Sequence, residues 1–442
     1  MSTSSTVAQA APQSVRLSLG YSWYVVGVLV VAYTFSYVDR TILTLMVGPI
    51  RTSLGINDVQ VSLLHGLAFA IFYTLLGIPI ARYADTMNRT WIISIGIGVW
   101  SIMTALCGFA RNFWEMFLAR IGVGVGEAAL SPGAYSLLAD YFPKRRMPLA
   151  LSIYTSAAYA GSGLAIMIGG ALITLMPAID LPGVGHLEPW QGVFVAIGLP
   201  GVLVALAVLL LREPPRTSVK AGIAPGIGEL FAHLGRHRGA YLVTILGYAL
   251  SSMLWNGSMA WFPTFFMRSF GWTTAEVGLR FGLTLVAVGT AGVVLGAMLT
   301  TALRDRGRAD AHLLVALLAL AIAVPFGLIG TLASSQWLAL AGIGVFLFAT
   351  CMPWGCAPAA LQEITPNQMR GQVSAIYLFF INLFGMGLGP TAVAFCTDSV
   401  FRNDAALGQS LALTMAVAAP LSALVLWCAR RPYREAVARI DF

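Results

Sequence analysis

Four charged residues stand where charge is costly. Asp39 and Arg40 are adjacent within an otherwise uncharged apolar stretch from about Trp23 to Val47, long enough for a membrane-spanning helix. Arg120 and Glu127 fall in the run Arg120-Ile-Gly-Val-Gly-Val-Gly-Glu-Ala-Ala-Leu-Ser131. Arg120, Gly124, Glu127 and Ser131 follow a spacing of four, three and four, which puts them on one helical face. An ionised side chain at bilayer depth costs about 2.5 to 3.5 kcal/mol on insertion scales, so such residues face a bundle interior or a watery cavity and mark a path for ions or solutes. The chemistry open to these groups is proton exchange on a carboxylate and recognition of a charged headgroup by a guanidinium.

Successive helical residues point about 100° apart. Asp39 and Arg40 therefore do not form the aligned pair that a spacing of three or four provides, and their partners are expected on other helices. Glu127 lies roughly 20 Å from the start of its helix at 1.5 Å per residue, whereas Arg120 has the length to snorkel toward an interface. Gly122, Gly124 and Gly126 let a neighbouring helix or a substrate come close. Burial favours the neutral form of a carboxyl group and a nearby arginine the charged form, so exposing the site alternately to two sides changes which influence prevails.

Other chemistry has little support. His65, His186, His233, His237 and His312 are scattered, and no nucleophile, metal or nucleotide motif is present. Cys107, Cys351, Cys356, Cys396 and Cys428 lack ligand-type spacing and are expected as free thiols. Neither an enzyme, a metal site nor a cofactor is expected.

The elements that must position these residues are membrane helices. Hydrophobic residues make up 58% of the chain and charged residues 10%, against about 25% charged in soluble domains. Apolar segments begin near Trp23, Val59, Trp91, Phe113, Leu149, Gly192, Tyr241, Val277, His312, Trp337, Gln372 and Leu407, about twelve spans of roughly 20 residues. One set of alternate loops collects nearly all the Lys and Arg, and the other set receives Arg51, Arg111, Arg268 and Arg402. The positive-inside rule then places both termini in the cytoplasm. The expected organisation is a cytoplasmic arm at 1–20, a six-helix bundle over 21–211, a cytoplasmic linker at 212–239 rich in proline and basic residues, a second bundle over 240–430 and a tail at 431–442. The fold class is all-α membrane protein. The polar, Ser/Ala-rich Met1 to Gly20 is expected to stay as an arm, with no signal peptide removed.

The halves are weakly similar where duplication predicts: Asp85 and Arg89 follow the second span, Asp305, Arg306 and Arg308 the eighth. The loop Ala81-Arg-Tyr-Ala-Asp-Thr-Met-Asn-Arg89 resembles the Gly-x-x-x-Asp-Arg-x-Gly-Arg signature of the major facilitator superfamily, with Ala81, Thr86 and Asn88 in place of Gly, Arg and Gly. The resemblance implies a cytoplasmic gate role for Asp85 and Arg89; a solvated loop charge is the alternative. Tyr37-Val-Asp-Arg40, Gly55-Ile-Asn-Asp58, the glycine run ending at Glu127, Ala139-Asp-Tyr-Phe-Pro143 and Leu361-Gln-Glu-Ile-Thr-Pro366 with Arg370-Gly371 are similar to the spinster branch of that superfamily. Gly161, Gly163, Gly169 and Gly170 resemble its glycine-rich antiporter motif, with Ala165 at the usual proline.

The resemblance implies that the first and fourth helices line one cavity, making Glu127 the expected partner of the Asp39–Arg40 pair. It implies proton coupling: Asp39 takes and releases the proton, Arg40 responds to its charge, Glu127 couples protonation to substrate or gate, and Arg40 or Arg120 meets a substrate headgroup. In the second half, Trp255, Asn256, Trp354 and Asn382 are the cavity candidates, with Trp261 nearby; ordinary packing is the alternative for the tryptophans. The expected cargo is a small amphiphilic or lipid-like molecule moved by alternating access, with protons and membrane lipids as the other partners and no nucleic acid. A passive uniporter, or a proton-driven exporter of organic anions or drugs, is the alternative. A monomer in a bacterial inner membrane is expected.

Overall fold

The computed structural model describes residues 18–143, 146–182, 185–215 and 227–439. Most of the expected N-terminal arm, the centre of the linker and the last residues of the tail lie outside the described residues.

The apolar segments fold as helices because lipid leaves a backbone no partner but itself. Among the described residues, ten helices are long and apolar enough to cross a membrane by themselves. The fourth span adds two stacked pieces, Phe113–Glu127 and Leu130–Tyr141, and the seventh is the 33-residue helix Arg238–Phe270. The helices start within about one turn of the positions read from hydropathy. With the fourth and seventh spans added, the described residues make about twelve crossings, and an even number puts Leu19 and Ala438 on one side, here called the terminal face.

The opposite, far face is built from short connections. The first span, Leu19–Ile42, tightens into a turn at Leu43–Leu45 and leads into the short helix Val47–Leu54. Gly55 ends that helix at φ +63°, a left-handed conformation that glycine adopts without a Cβ penalty. Asn57 and Gln60 then form a reciprocal capping box that starts the second span at Asp58. Between the fifth and sixth spans, Ile179–Leu181 and Gly185–Leu187 pair as a small antiparallel hairpin.

Two backbone features position the charged residues. A Cβ on Gly124 would lie 2.7 Å from the Phe69 carbonyl oxygen, so the second and fourth spans meet backbone to backbone. The second span also carries a wide π turn at Leu63–Leu67, and a Cβ on Gly66 would overlap the Met386 carbonyl of the eleventh span. Met386 itself sits in another π turn, Asn382–Leu388. The two halves of the chain thus touch along helices whose regular winding is interrupted on both sides.

Candidate functional site

Inside the first half the first span sends its two charges in different directions. Asp39 Oδ1 accepts from Arg120 Nη1 at 3.2 Å, and its Oδ2 accepts a hydrogen bond from Thr104 of the third span. Arg120 also donates from Nε to the Leu64 carbonyl at 3.3 Å, inside the π turn. Arg40 instead reaches Glu127, with Nε and Nη2 both 2.5 Å from Oε2. Ser36, one turn earlier on the first span, donates to the same oxygen at 2.8 Å. The result is two pairs on four charges, all within the first half of the chain.

Their surroundings differ. Asp39 has a partner on each oxygen, whereas Glu127 Oε1 is buried and has none. A buried acceptor without a partner is costly. Arg120 is fully buried, a packed ion rather than a snorkelling one, while the Arg40 side chain keeps 16% exposure. Its guanidinium lies 4.5 Å from the ring of Phe69, 4.9 Å from Tyr73 and 5.3 Å from Tyr37, within the range of attraction between a cation and a ring face. Arg40 is therefore the charge of the four that borders open space.

The wall beside it is aromatic. Tyr33 stacks on Tyr154 at 4.6 Å and meets Tyr37 edge-on at 5.1 Å, and Tyr135 meets Tyr154 edge-on at 5.6 Å. In sequence the aromatic side was expected in the second half, so this tyrosine wall was missed; the spacing of four between Tyr33 and Tyr37 was the available signal. In the second half, Trp255 and Trp354 pack edge-on at 5.1 Å, with Trp354 40% exposed. Asn256 is held within its own helix by Ser252, at 3.0 and 3.1 Å. Asn382 donates to Thr74 of the second span at 3.2 Å and so ties the halves together. Trp261 is buried and donates to the Pro390 carbonyl at 2.9 Å, which makes it a packing residue of the second half.

A second charged cluster lies at the far face. Asp58, fully buried, accepts from Arg268 Nη1 and Nη2 at 2.6 and 2.8 Å, a two-pronged pair between the halves. Arg51 is 3.1 Å from Asp58 and 2.7 Å from Asp404. The backbone N–H of Val59 donates to Asp398 at 2.9 Å, and Ser62 donates to Thr391 at 3.1 Å. Sequence reasoning assigned no role to these residues.

At the terminal face, Arg89 is buried at the start of the third span. It contacts Asp140 at 2.5 Å, Glu213 at 2.6 Å and the Ser136 carbonyl and hydroxyl at 3.0 Å. These partners belong to the first half and to the chain leaving it. The side chain of Asp85 lies outside the described residues. The corresponding cluster in the second half joins Arg430 to Asp310 at 2.6 Å and Arg304 to Glu363, which also accepts from Tyr433 at 2.9 Å. Asp305, Arg306 and Arg308, read from sequence as the counterparts of Asp85 and Arg89, are exposed; Arg304 and Asp310 fill that place.

Comparisons with known proteins agree with this architecture. The sequence profile of the Major Facilitator Superfamily matches residues 29–390. An MFS-type efflux pump of Mycolicibacterium smegmatis is 28% identical over 421 residues, covering 94% of each chain. Human protein spinster homolog 1 is also 28% identical, covering 88% of this chain and 75% of its own length. The crystal structure of a bacterial homologue of the human lysosomal transporter spinster, inward-facing and unoccupied, superposes with a TM-score of 0.78 at 29% identity, covering 96% of this chain and 98% of the other.

Proposed function

Because this chain belongs to the major facilitator superfamily, a family of membrane transporters rather than enzymes, we propose that it carries a small amphiphilic, lipid-like substrate by alternating access coupled to protons. The observation that carries the proposal is the Glu127 carboxylate, buried with one oxygen on Arg40 and the other without a partner. With all four groups ionised, the cluster is neutral. A proton on the unpartnered Glu127 oxygen weakens the attraction that holds Arg40, and Arg40, already at the edge of open space, turns to an anionic headgroup. The apolar part of the substrate then lies between the tyrosine wall and Trp255 with Trp354. Asp39 is the second proton site, and its protonation releases Arg120.

The terminal face carries the basic excess and is placed in the cytoplasm. The far-face cluster, closed between the halves, supports reading this as a state with its site toward the cytoplasm. The protein acts as a monomer in a bacterial inner membrane.

The test has two stages. Thermal shift with lysophospholipids, sphingoid phosphates, organic anions and cationic drugs finds a binder, since a ligand stabilises the state it binds. That binder is then used in proteoliposomes with a trapped pH dye. Wild type should alkalinise the donor side as substrate moves, and Glu127→Gln should not. Substrate flux indifferent to a collapsed pH gradient would sink the proposal and leave a passive carrier.

Export is the second reading for direction. It is favoured by the likeness to the M. smegmatis efflux pump over nearly the whole of both chains. Accumulation of the binder in cells lacking the gene, relative to cells expressing it, distinguishes export from import.

A further inference from the structure

The second span carries a polar stripe that the site above does not use. Asp58, Ser62 and His65 follow a spacing of four and three, one face of a helix. Continued by four, the same face reaches Phe69 and then Tyr73, two of the three rings against Arg40. Asp58 sits in the far-face cluster and Ser62 bonds to Thr391 across the halves. His65 comes next inward, in the middle of the π turn Leu63–Leu67. Such single wide turns inside α-helices are frequent at functional sites.

His65 has an unusual setting. Its Nδ1 is buried and has no hydrogen-bond partner. It lines a small cavity of about 10 Å³ with Thr44, Ser62, Trp261 and Pro390 among the other walls, a volume at the threshold for one water molecule. The cavity lies on the seam between the halves: Thr44, Ser62 and His65 come from the first, Trp261 and Pro390 from the second. Arg120 of the fourth span, the partner of Asp39 on the first span, donates to the carbonyl of Leu64, the residue before His65 in the same turn. The cavity walls from the second half carry no charge.

We propose that His65 is the proton-relay residue between the far face and the Asp39–Arg120 pair, with one water in the adjoining cavity as its outer neighbour. The relay rests on the proton-coupled reading above. When the far-face cluster parts, a proton from the outer solution passes through water in the cavity to the unpartnered Nδ1. The other ring nitrogen releases its proton inward to the Asp39 carboxylate. The imidazole ends neutral in the opposite tautomer, the water is unchanged, and Asp39 leaves Arg120 with one proton gained. Ser62 and Thr44 hold the water in place.

The test follows carboxyl protonation directly. Protein in phosphatidylglycerol and phosphatidylethanolamine vesicles receives a laser-released proton pulse, and the carboxyl C=O band is recorded by time-resolved infrared absorption. Asp58→Asn, which loosens the far face, is compared with Asp58→Asn/His65→Gln and with Asp58→Asn/His65→Ala plus imidazole. The expected result is a protonation rate slowed about tenfold or more by His65→Gln, an unchanged final amplitude, and a rate restored by imidazole in the alanine variant. Equal rates with and without His65 overturn the relay. A wild type with no carboxyl signal between about pH 5 and 8 overturns proton coupling itself, so the two failures are distinct. Should the variants not fold, ¹⁵N-histidine spectra of the wild type decide: a His65 tautomer that stays fixed across that pH range overturns the relay.

Discussion

Two of the charged clusters of this protein, the one inside the first half and the one at the far face, are similar in composition and opposite in connectivity. In what we call the mid-membrane cluster, inside the first half, Asp39 with Arg120 and Arg40 with Glu127 join the first, third and fourth spans. At the far face, Asp58 with Arg268 and Arg51 with Asp404 join one half to the other. A rocking motion of the halves leaves every bond of the first cluster intact and must break the second. The mid-membrane cluster is therefore suited to sense a proton or a headgroup without moving its own frame. The far-face cluster is suited to decide which side is open, since a ligand or proton shifts such an equilibrium only through a difference in its interactions with the two states.

The largest effect should separate the clusters by fold stability. Arg120→Ala strips a buried carboxylate of its guanidinium, and removing one partner of a buried pair costs about 3–5 kcal/mol. Arg268→Ala leaves Asp58 its contact with Arg51, so its cost should be well below that. Thermal unfolding in detergent compares the two. An equal loss in both variants would show that the far-face cluster holds the fold and not merely a conformation.

Next comes transport. Glu127→Gln keeps shape and removes the proton site, so proton flux linked to a binder should fall about 100-fold, the scale of a lost general acid or base. Exchange of that binder between two sides at equal pH should persist. Asp39→Asn should have the smaller effect on proton flux, because both oxygens of Asp39 are already engaged. The reverse order would return the primary proton site to Asp39.

A smaller effect is expected at the far face. Asp58→Asn removes the charge that the halves share. A loss of about 1.4 kcal/mol from the closed state would move the open population tenfold. Spin labels at Thr52 and Ser399, exposed positions on opposite halves near the cluster, should report a longer distance in this variant, with little change in unfolding temperature. An unchanged distance would mean that apolar contacts such as Gly66 against Met386 close this face without help from charge.

The clusters were unequally legible in sequence for the same physical reason that they differ in role. Asp39, Arg40, Arg120 and Glu127 stand out because charge inside an apolar stretch is rare. Asp58, Arg268 and Asp404 sit at helix ends, where charge is ordinary, and nothing local distinguishes a buried pair between halves from a solvated residue. The exchange of partners, Asp39 to Arg120 and Arg40 to Glu127, needed the rotation of the first span relative to the fourth, which hydropathy does not contain. The twelve spans were readable from length and composition. The π turns at Leu63–Leu67 and Asn382–Leu388 were not, because one widened turn barely alters a hydrophobic pattern. The glycines of the fourth span read equally as room for a substrate or for a neighbour, and at Gly124 the neighbour is the Phe69 backbone.

The smallest effect isolates connectivity from location. His186 and Asp180 face each other on the hairpin between the fifth and sixth spans, 2.9 Å apart, exposed and within the first half alone. The hydrogen bond and charge of Asp180 raise the His186 pKa above its ordinary value. With the folded pKa above the unfolded one, the pair's contribution is fully present below the ordinary imidazole range near 6.5 and is lost as pH rises through the raised value. Solvent screens it, so the change in unfolding temperature should be slight and absent in His186→Ala. The spin-label distance across the far face should respond to pH equally in wild type and His186→Ala, because this pair joins nothing that moves, and lose that response in Glu127→Gln. A distance whose pH response disappears with His186 instead would assign pH sensing to an exposed pair and break the division of labour between the two buried clusters.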